Sequence, residues 1–533
     1  MSDRRSAMKL AGLALGGASP LFRAAASAAP AAAGPEGQRR ADQGNGTYRN
    51  PILAGDYADP SVLKDGDDYY LTHSSFDTAP GLLLWHSRDL VNWQPLGPVL
   101  DEPLGTVFAV DLVKHQGRYF IYIPFMRAPW STNLASFANI YVIHADDIRG
   151  PWSTPIDLGI GGRIDPGHAV GEDGKRYLFL SGVERVQLGD DGLSTVGKPH
   201  NVYEGWRYPD EWITEAFALE GPKHFTRNGW HYLVSAQGGT GGPATGHMVI
   251  VARSRSIDGP WENCPYNPIV RSKSDAEHWL SRGHATLLEG PAGDWWMVYH
   301  GYENGFRTLG RQTLLEPIRW TREGWPLALG GDLSRALAMP KGGHRVPHGL
   351  ARSDDFRALA LGIRWSFAGA GPADRKRARI EDGTLVLSAK GSGPHNCAPL
   401  AQNAGDRAYE VSVAMELDGT AEGGLLLFFN DRLFLGMGHN GTRMVTYRGG
   451  KASYWPEPAP ATRRIDLKIV NDRNIVTMFY RVPGLPWTRH AVRNEVSGYH
   501  ANTADDLASL RPALFAAGEG AVRFRDFRYR ALA

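Results

Sequence analysis

Cysteine is almost absent from this sequence: Cys264 and Cys397 are the only two among 533 residues. Their wide separation predicts two free thiols in different domains, not a disulfide framework or a cysteine-based metal site. An excess of one charge is also lacking, because 58 basic residues balance 56 acidic ones. No basic stripe interleaved with aromatic residues occurs, so we expect no nucleic-acid partner and favour a neutral ligand.

Long apolar runs are missing as well, so we expect no membrane-spanning helix, which needs about 20 apolar residues. The short apolar stretch at residues 11–18 follows Arg4 and Arg5 and precedes small residues. This pattern is typical of a twin-arginine export signal and predicts a periplasmic or extracellular protein without a membrane partner. Because Arg23 follows the apolar stretch closely, a disordered alanine-rich tail is the alternative. We assign residues 1–47 to this signal and a disordered leader.

Helical periodicity is nearly absent, whereas one strand pattern recurs five times. In each repeat a polar residue leads into a strand, a turn with Gly or Asp follows, and an aromatic-rich strand returns, as in "ADPSVLKDGDDYYLTHSSF" and "LEGPKHFTRNGWHYLVSAQGG". The leading residues are spaced by 52 to 64 residues and are Asp59, Asp111, Asp165, Glu220 and His284. A fixed period of this length indicates repeated structural units.

The repeats predict a five-bladed β-propeller over residues 48–340. Each holds a β-hairpin, and its remaining length suffices for a blade of four strands. Three repeats continue into "HSRDLVNWQP", "HADDIRGPWSTP" and "RSRSIDGPWENCP". We expect the tryptophans of these segments to pack within and between blades, not to bind a ligand; they are Trp93, Trp152 and Trp261.

The propeller pattern ends near residue 340, and a different β pattern follows. We predict a linker over residues 341–353, and alternating strand patterns such as "YEVSVAMEL" and "RIDLKIVNDRNIVTMFY" follow it. This pattern favours a β-sandwich of the jelly-roll, concanavalin-like kind over residues 354–533. The fold class is therefore all-β, with a five-bladed propeller followed by an accessory sandwich.

The inner strands of a propeller face its channel, so the residues that open them should converge at one end. This would gather Asp59, Asp111, Glu220 and His284. Neighbouring carboxylates in a desolvated pocket push their pKa values apart, so that one holds a proton while another stays ionised. Glycoside hydrolysis needs such a pair, about 6.5–9.5 Å apart when the anomeric configuration inverts. A turn or capping role is the alternative for any one leading aspartate.

Several motifs, taken in order, resemble glycoside hydrolase family 43. They are "NPILAGDYADPSV", "GDDYYLTHSSF", "VDL", "EGP" and "GRQTLLEPIRW", within residues 50–329. The resemblance implies an inverting five-bladed propeller enzyme that acts on xylose- or arabinose-containing glycans. The carboxyl-terminal module is similar to the concanavalin-like domain of many β-xylosidases in this family.

The resemblance also implies roles for individual residues. The general base of the family falls on Asp59, its general acid on Glu220, and the third acid, which tunes and orients the general acid, on Asp111. Arg311 matches the arginine that reaches into the sugar site, and His284 matches a histidine that lines the channel. The sequence departs from the family at "FAVDL", where a Trp and a Pro commonly precede the acid, so the surroundings of Asp111 are less secure.

We interpret Asp165 as a structural or rim residue. Some family members hold a calcium ion near the histidine that matches His284, but no dense His/Asp cluster occurs in the sequence, so we assign no metal ligands and expect no required cofactor. Aromatic residues near the blade ends could stack on a sugar or pack in the core; they are Phe76, Phe108, Phe125 and Trp206.

The predicted function is that of a β-xylosidase or α-L-arabinofuranosidase acting on an oligosaccharide or polysaccharide. The alternatives are a non-catalytic carbohydrate-binding propeller, an exo-galactan-type hydrolase of the same fold, a retaining fructosidase-type propeller and a protein-binding scaffold. The fructosidase type has an Asn before its Asp-Pro, where this chain has Ala58. The sequence leaves open the sugar and its linkage, exo or endo action, the oligomeric state and the role of the sandwich.

Overall fold

The computed structural model describes residues 34–131, 135–371, 373–454, 461–504 and 506–532. The predicted export signal with Arg4 and Arg5 lies outside the described residues. No helix in the described part of the chain is both long and apolar enough to span a membrane.

Five antiparallel sheets form the blades of a propeller, which confirms the predicted architecture. Blade 1 comprises Ser61–Asp65, Asp68–Thr72, Gly81–Ser87 and Gln94–Leu100. Blade 2 comprises Asp111–His115, Arg118–Met126, Ala138–Ala145 and Ile156–Gly161, with Thr106–Val107 added at one edge. Blade 3 comprises Gly167–Val170, Arg176–Leu180, Glu184–Leu188 and Thr195–Asn201.

The last two blades follow the same order from the inner strand outwards. Blade 4 comprises Glu220–Arg227, Trp230–Gln237, Met248–Ser254 and Glu262–Asn263, with Val270–Arg271 also paired to its third strand. Blade 5 comprises Trp279–Glu289, Trp295–Glu303, Arg311–Trp320 and Pro326–Ala328.

The hydrophobic core of the propeller lies between neighbouring blades. Trp93 is fully buried in a cluster that joins blade 1 to blade 5, while Trp152 and Trp261 pack half-buried against clusters of blades 1 and 2 and of blades 3 and 4. These positions confirm the predicted packing role of the three tryptophans. Cys264 is a free, buried thiol in the cluster between blades 4 and 5.

The ring is closed by the segment that enters blade 1. Thr47–Tyr48 pairs antiparallel with Leu337–Ala338, which follows blade 5. The buried Tyr48 hydroxyl and the Asn50 amide both donate hydrogen bonds to the backbone carbonyl of Leu315, at 2.8 and 2.9 Å. This pairing and these hydrogen bonds join the start of the propeller to its last blade.

Two further sheets form the predicted β-sandwich. The first contains Ser366–Ala368, Leu400–Ala401, Glu422–Phe428, Phe434–His439, Met444–Arg448, Lys451–Tyr454 and Arg511–Ala517. Thr78–Ala79 of the propeller extends this sheet at one edge. The second contains Ala378–Glu381, Thr384–Ser388, Ala408–Gly419, Arg464–Asp472, Ile475–Arg481, Thr488–Arg489, Asn494–Glu495 and Gly520–Ala531.

The strand alternation seen in the sequence matches the burial of the sandwich strands. Along Ala408–Gly419 buried and half-exposed residues alternate, as expected for a sheet with one face in the core. Cys397 is free and fully buried, in a second cluster formed by the other face of the first sheet. Residues 341–353, the predicted linker, contain no helix or strand. The described helices are all short: Pro35–Gly37, Ser181–Val183, Arg307–Leu309, Asp374–Arg377 and Ala501–Ala504.

Residues 34–47 do not form the disordered leader that we predicted. Arg39 donates hydrogen bonds to both oxygens of the fully buried Glu303, at 3.1 and 2.9 Å, and to the side-chain carbonyl of Gln312 at 2.5 Å. Its backbone N–H donates to Asp406 of the sandwich at 2.9 Å. Arg407 binds Glu303 as well. The segment therefore belongs to the folded body, where Arg39 connects blade 5 with the sandwich.

Replacing Arg39 should destabilise the fold. Arg39→Ala removes a partner of a buried carboxylate, so we expect a loss of about 1–3 kcal/mol in the free energy of unfolding. Thermal unfolding followed by circular dichroism measures this as a lower midpoint. The matched control is Arg49→Ala, because the exposed Arg49 side chain donates only to the carbonyl of Ser334 among the described residues. Equal midpoints for the two variants would contradict the structural role of Arg39.

Candidate active site

Four of the five repeats have an unusual backbone conformation at or next to their leading residue. Asp59, Asp165 and His284 have φ angles of 55°, 55° and 53°, and Gly221, next to Glu220, has a φ of 59°. Side chains other than glycine seldom adopt this left-handed region, and such strain concentrates at functional sites. This shared backbone turn brings the leading side chains of blades 1, 3, 4 and 5 into one cluster.

His284 lies at the centre of this cluster and contacts three acids. Its Nδ1 is 3.7 Å from Asp59 Oδ1, while its Nε2 is 3.7 Å from Asp165 Oδ2 and 3.5 Å from Glu220 Oε1. The imidazole ring therefore separates Asp59 on one side from Asp165 and Glu220 on the other.

Asp59 is buried and held by three side chains. Arg311 Nη1 donates to its Oδ1 at 2.9 Å, and the Ser74 hydroxyl donates to its Oδ2 at 2.5 Å. The backbone N–H of Asp59 donates to His300 Nδ1 at 3.1 Å. Burial alone would raise the pKa of Asp59, but the Arg311 guanidinium, His284 and His300 hold that pKa well below its usual value. Asp59 is therefore an ionised carboxylate.

The acids in turn determine the charge of His284. Burial lowers the pKa of the imidazole, but Asp59 first, and then Glu220 and Asp165, outweigh burial and raise this pKa to about 9. His284 is thus an imidazolium at neutral pH. Together with Arg311 it supplies two buried positive charges against three acids.

Asp165 belongs to the cluster, so our interpretation of it as a structural or rim residue is wrong. It is 3% exposed, and its Oδ2 accepts the backbone N–H of Gly221 at 3.0 Å. Burial, together with the charges of Glu220 and Asp59, raises the pKa of Asp165 to about 7. Asp165 is therefore the acid that lies beside Glu220 and interacts with it electrostatically.

Asp111 does not join the cluster, which contradicts its prediction as the third acid. Its Oδ1 accepts hydrogen bonds from Lys223 Nζ at 2.6 Å and from the Ser61 hydroxyl at 3.2 Å, and its Oδ2 accepts the backbone N–H of His168 at 2.7 Å. These partners lie two or three residues further along their strands than the clustered acids. Asp111 is thus one layer deeper in the channel, where Lys223 balances its charge.

Glu220 lies at the mouth of the cluster, on the wall of a cavity of about 550 Å³. Phe108 and Arg127 of blade 2 line this cavity together with Asn502 and Asp506 of the sandwich. The sandwich therefore forms part of the mouth. Phe76 lies behind Phe108, with ring centroids 6.0 Å apart and edge to face.

The other two aromatic candidates take packing positions. Phe125 is fully buried in the cluster between blades 1 and 2. Trp206 packs half-buried against Tyr208 and Trp212.

Two buried histidines in the site were missed in the sequence. His300 bonds to the backbone of Asp59, and His247 has its Nε2 3.9 Å from Glu220 Oε1. Their rings contact each other and that of His284 with centroids 5.3 to 5.6 Å apart. Neither residue leads a repeat, so the spacing that selected His284 gave no signal for them.

The residues around His284 offer few of the protein oxygen ligands that a calcium ion takes. Among the described residues, the one group with metal-capable atoms within 4.8 Å of one another is Glu220, His247 and His284. Calcium takes six to eight oxygen ligands, whereas this group offers one carboxylate and two ring nitrogens. Arg311 adds a positive charge nearby.

Comparison with known proteins places this arrangement in a family. The model of "Glycosyl hydrolases family 43" matches residues 48–326. The chain belongs to glycosyl hydrolase family 43. It is 33% identical over 321 residues to a xylan 1,3-beta-xylosidase of Vibrio sp, covering 52% of this chain and 57% of that protein. It is 31% identical over 347 residues to the non-reducing end alpha-L-arabinofuranosidase BoGH43B of Bacteroides ovatus, covering 60% and 61%.

A solved structure of the family extends the similarity to both domains. The family 43 protein BlXynB from Bacillus licheniformis superposes with a TM-score of 0.81 at 26% identity, covering 91% of this chain and all of that one. By sequence, however, the chain matches less than two thirds of the length of the two curated relatives above.

The charge of His284 predicts a pH-dependent stability. Its folded pKa of about 9 exceeds the ordinary value of 6.5, so the folded state binds the extra proton between these values. The stabilising contribution is complete below pH 6.5 and is lost as the pH rises through about 9. The difference in unfolding midpoint between the wild type and His284→Gln should therefore shrink over this interval.

A histidine outside the site serves as the control. His439 is fully buried in the sandwich, and burial lowers its pKa to about 4, so it is neutral over the whole interval. The difference between the wild type and His439→Gln should not change between pH 6.5 and 9. A parallel change for both variants would contradict a charged His284.

Proposed function

We propose that this family 43 protein is an inverting glycoside hydrolase that releases xylose or arabinose from the non-reducing end of a glycan. The observation that carries the proposal is the pair Asp59 and Glu220 on opposite sides of His284. One member of the pair is buried and ionised, and the other lies at the mouth of a cavity. This is the division between base and acid that hydrolysis with inversion requires.

On the base side, Asp59 accepts a proton from the attacking water. Arg311 and Ser74 hold its two oxygens, so the carboxylate keeps one orientation during attack. The water oxygen forms a bond to the anomeric carbon on the face opposite the leaving group.

On the acid side, Glu220 gives its proton to the glycosidic oxygen as the bond to the anomeric carbon breaks. Asp165 lies on the same side of His284, and its pKa of about 7 means that it carries a proton below neutral pH. A protonated Asp165 removes one negative charge from the neighbourhood of Glu220. Asp165 thus holds a proton on the acid side while Asp59 on the base side is ionised.

Arg311 is well suited to bind the sugar. It is 2% exposed, and its Nε and Nη2 have no hydrogen-bond partner among the described residues. Buried donors without partners cost free energy, which a sugar hydroxyl would recover on binding. Phe108 adds an apolar ring face at the mouth.

The choice of sugar and of exo action rests on two supports. Relatives at 31–33% identity are named for xylosidase and non-reducing end arabinofuranosidase activities. The sandwich lines one side of the mouth through Asn502 and Asp506. A cavity closed on one side by the sandwich suits the end of a glycan chain better than an internal segment of the chain.

We also propose that the hydrolysis needs no cofactor, because carboxyl groups supply both proton transfers. The twin-arginine-like sequence supports export to the periplasm or beyond. Because Arg39 is part of the folded body, processing of the signal would have to leave residues 34–47 on the mature protein.

The stereochemical outcome tests the proposal. With Asp59 activating water directly, one displacement occurs, and the first product has the opposite anomeric configuration to the substrate. Proton NMR of an aryl β-xyloside or aryl α-arabinofuranoside reaction in its first minutes should show this anomer. Asp59→Ala should lower turnover by at least about 10²-fold while the fold is retained. Initial retention of configuration would contradict the mechanism, and no release of sugar from either glycoside would contradict the activity.

Replacing Asp165 by asparagine should affect turnover, whereas replacing Asp111 by asparagine should affect stability. Asp165→Asn changes the charge beside Glu220, so we expect a turnover about 10- to 100-fold lower and a shifted pH profile. Asp111→Asn leaves Lys223 without its ion pair and should lower the unfolding midpoint, with a pH profile like that of the wild type. The reverse pattern, with the shifted profile in Asp111→Asn, would restore the assignment made from the sequence.

A further inference from the structure

His247 is buried against Glu220, the proposed acid, and its ring makes no hydrogen bond within the described part of the chain. It is 0% exposed, and neither ring nitrogen has a hydrogen-bond partner among the described residues. Buried polar groups are nearly always paired, because an unpaired one costs about 1–3 kcal/mol. A histidine that bears this cost at a catalytic centre needs an explanation.

The surroundings of His247 fix its ring. It lies edge to face against His284 and His300, with centroids 5.6 and 5.3 Å away. Gly283 leaves room for it, because a Cβ atom at that position would lie 2.1 Å from His247 Nε2. The ring therefore packs against bare backbone on one side and imidazoles on the others.

The fixed ring directs Nε2 at one oxygen of Glu220. That oxygen is Oε1, 3.9 Å away, which is longer than a hydrogen bond. His284 Nε2 is 3.5 Å from the same oxygen. Catalytic hydrogen bonds are often long in free enzymes and shorten when the substrate binds. Burial, followed by the charges of His300, His284 and Arg311, holds the pKa of His247 well below its ordinary value, so the ring is neutral.

We propose that His247 is a positioning residue that donates its Nε2–H to Glu220 Oε1 and thereby confines the acidic proton to Oε2. With two N–H donors directed at Oε1, that oxygen acts as an acceptor and cannot also carry the proton. Oε2 is then the oxygen that gives its proton to the leaving group. This inference rests on the proposed role of Glu220 as the general acid.

Such a role predicts an effect that depends on the leaving group. A glycoside with a poor leaving group, such as xylobiose or a methyl glycoside, needs protonation by the general acid. The leaving group of a 2,4-dinitrophenyl glycoside departs almost without this protonation. In His247→Leu, kcat for the poor leaving group should fall about 10- to 100-fold, and kcat for the dinitrophenyl glycoside less than about 3-fold. His247→Gln, which can place an amide N–H near the position of Nε2, should recover part of the loss.

Two further variants separate positioning from folding. His439→Leu removes another fully buried histidine, in the sandwich, whose Nε2 also has no hydrogen-bond partner in the described part of the chain. It should leave the ratio of the two kcat values unchanged. Gly283→Ala keeps His247 but adds a methyl group that would displace Nε2 of its ring. It should therefore reproduce the change in the ratio of kcat values seen in His247→Leu. Gly283→Ala and His247→Gln also test the proposal if His247→Leu does not fold.

If His247→Leu folds with an unchanged unfolding midpoint, an equal loss of kcat on both substrates would overturn the inference. If His247→Leu does not fold, a wild-type ratio of the two kcat values in both His247→Gln and Gly283→Ala would overturn it. This failure differs from failure of the proposed function. If only the inference on His247 fails, the wild type hydrolyses both glycosides, and the loss in the His247 variant does not depend on the leaving group. If the proposed function fails, the wild type releases no sugar from either.

Discussion

Two buried cations hold two buried acids and one half-buried acid together at one end of the propeller channel. Burying a charge without a partner is costly, and like charges repel, so Asp59, Asp165 and Glu220 could not converge alone. Arg311 neutralises Asp59 directly, and His284 lies between Asp59 and the other two. The same arrangement sets the protonation states, because the cations keep Asp59 ionised while burial and its neighbours favour a proton on Asp165. The same ion pairs thus compensate the buried charges and set the protonation states of the site.

Much of this could be predicted from the sequence, because blades repeat. The leading residues of blades 1, 4 and 5 were correctly placed at the site, and the five-bladed fold followed from the same spacing. The mistake at Asp111 also has a physical cause. Asp59 and Asp165 each precede a proline and share a φ of 55°, whereas Asp111 precedes Leu112 within a regular strand. The Asp-Pro dipeptide, and not the repeat position alone, marks the turn that directs an acid into the cluster.

Other parts of the site have no local signature. Arg39 reaches Glu303 and Gln312, which are 264 and 273 residues away. His247 is defined by the space that Gly283 leaves and by rings from two strands of blade 5. Contacts of this kind depend on how the blades and the sandwich are assembled. A single sequence read by pattern carries no information on them.

The contacts around Glu303 suggest why the sandwich is built into this propeller. Glu303 ends the strand Trp295–Glu303, and Arg311 begins the next, so the loop between them sets the position of the cation that holds Asp59. The sandwich fixes this loop, since Asn474 donates to the Gly305 carbonyl at 2.8 Å and accepts from the Thr308 hydroxyl at 2.9 Å.

Gln312 connects the same region to Asp59, the proposed base. Its side-chain carbonyl accepts the backbone N–H of Gly55 at 3.2 Å, in the segment that leads to Asp59, and its amide donates to Glu303 at 3.0 Å. A shift of the sandwich would therefore reach both members of the ion pair between Asp59 and Arg311. Catalytic groups must be held within a fraction of an ångström, so a domain that contributes only part of the mouth directly still determines the geometry at the centre.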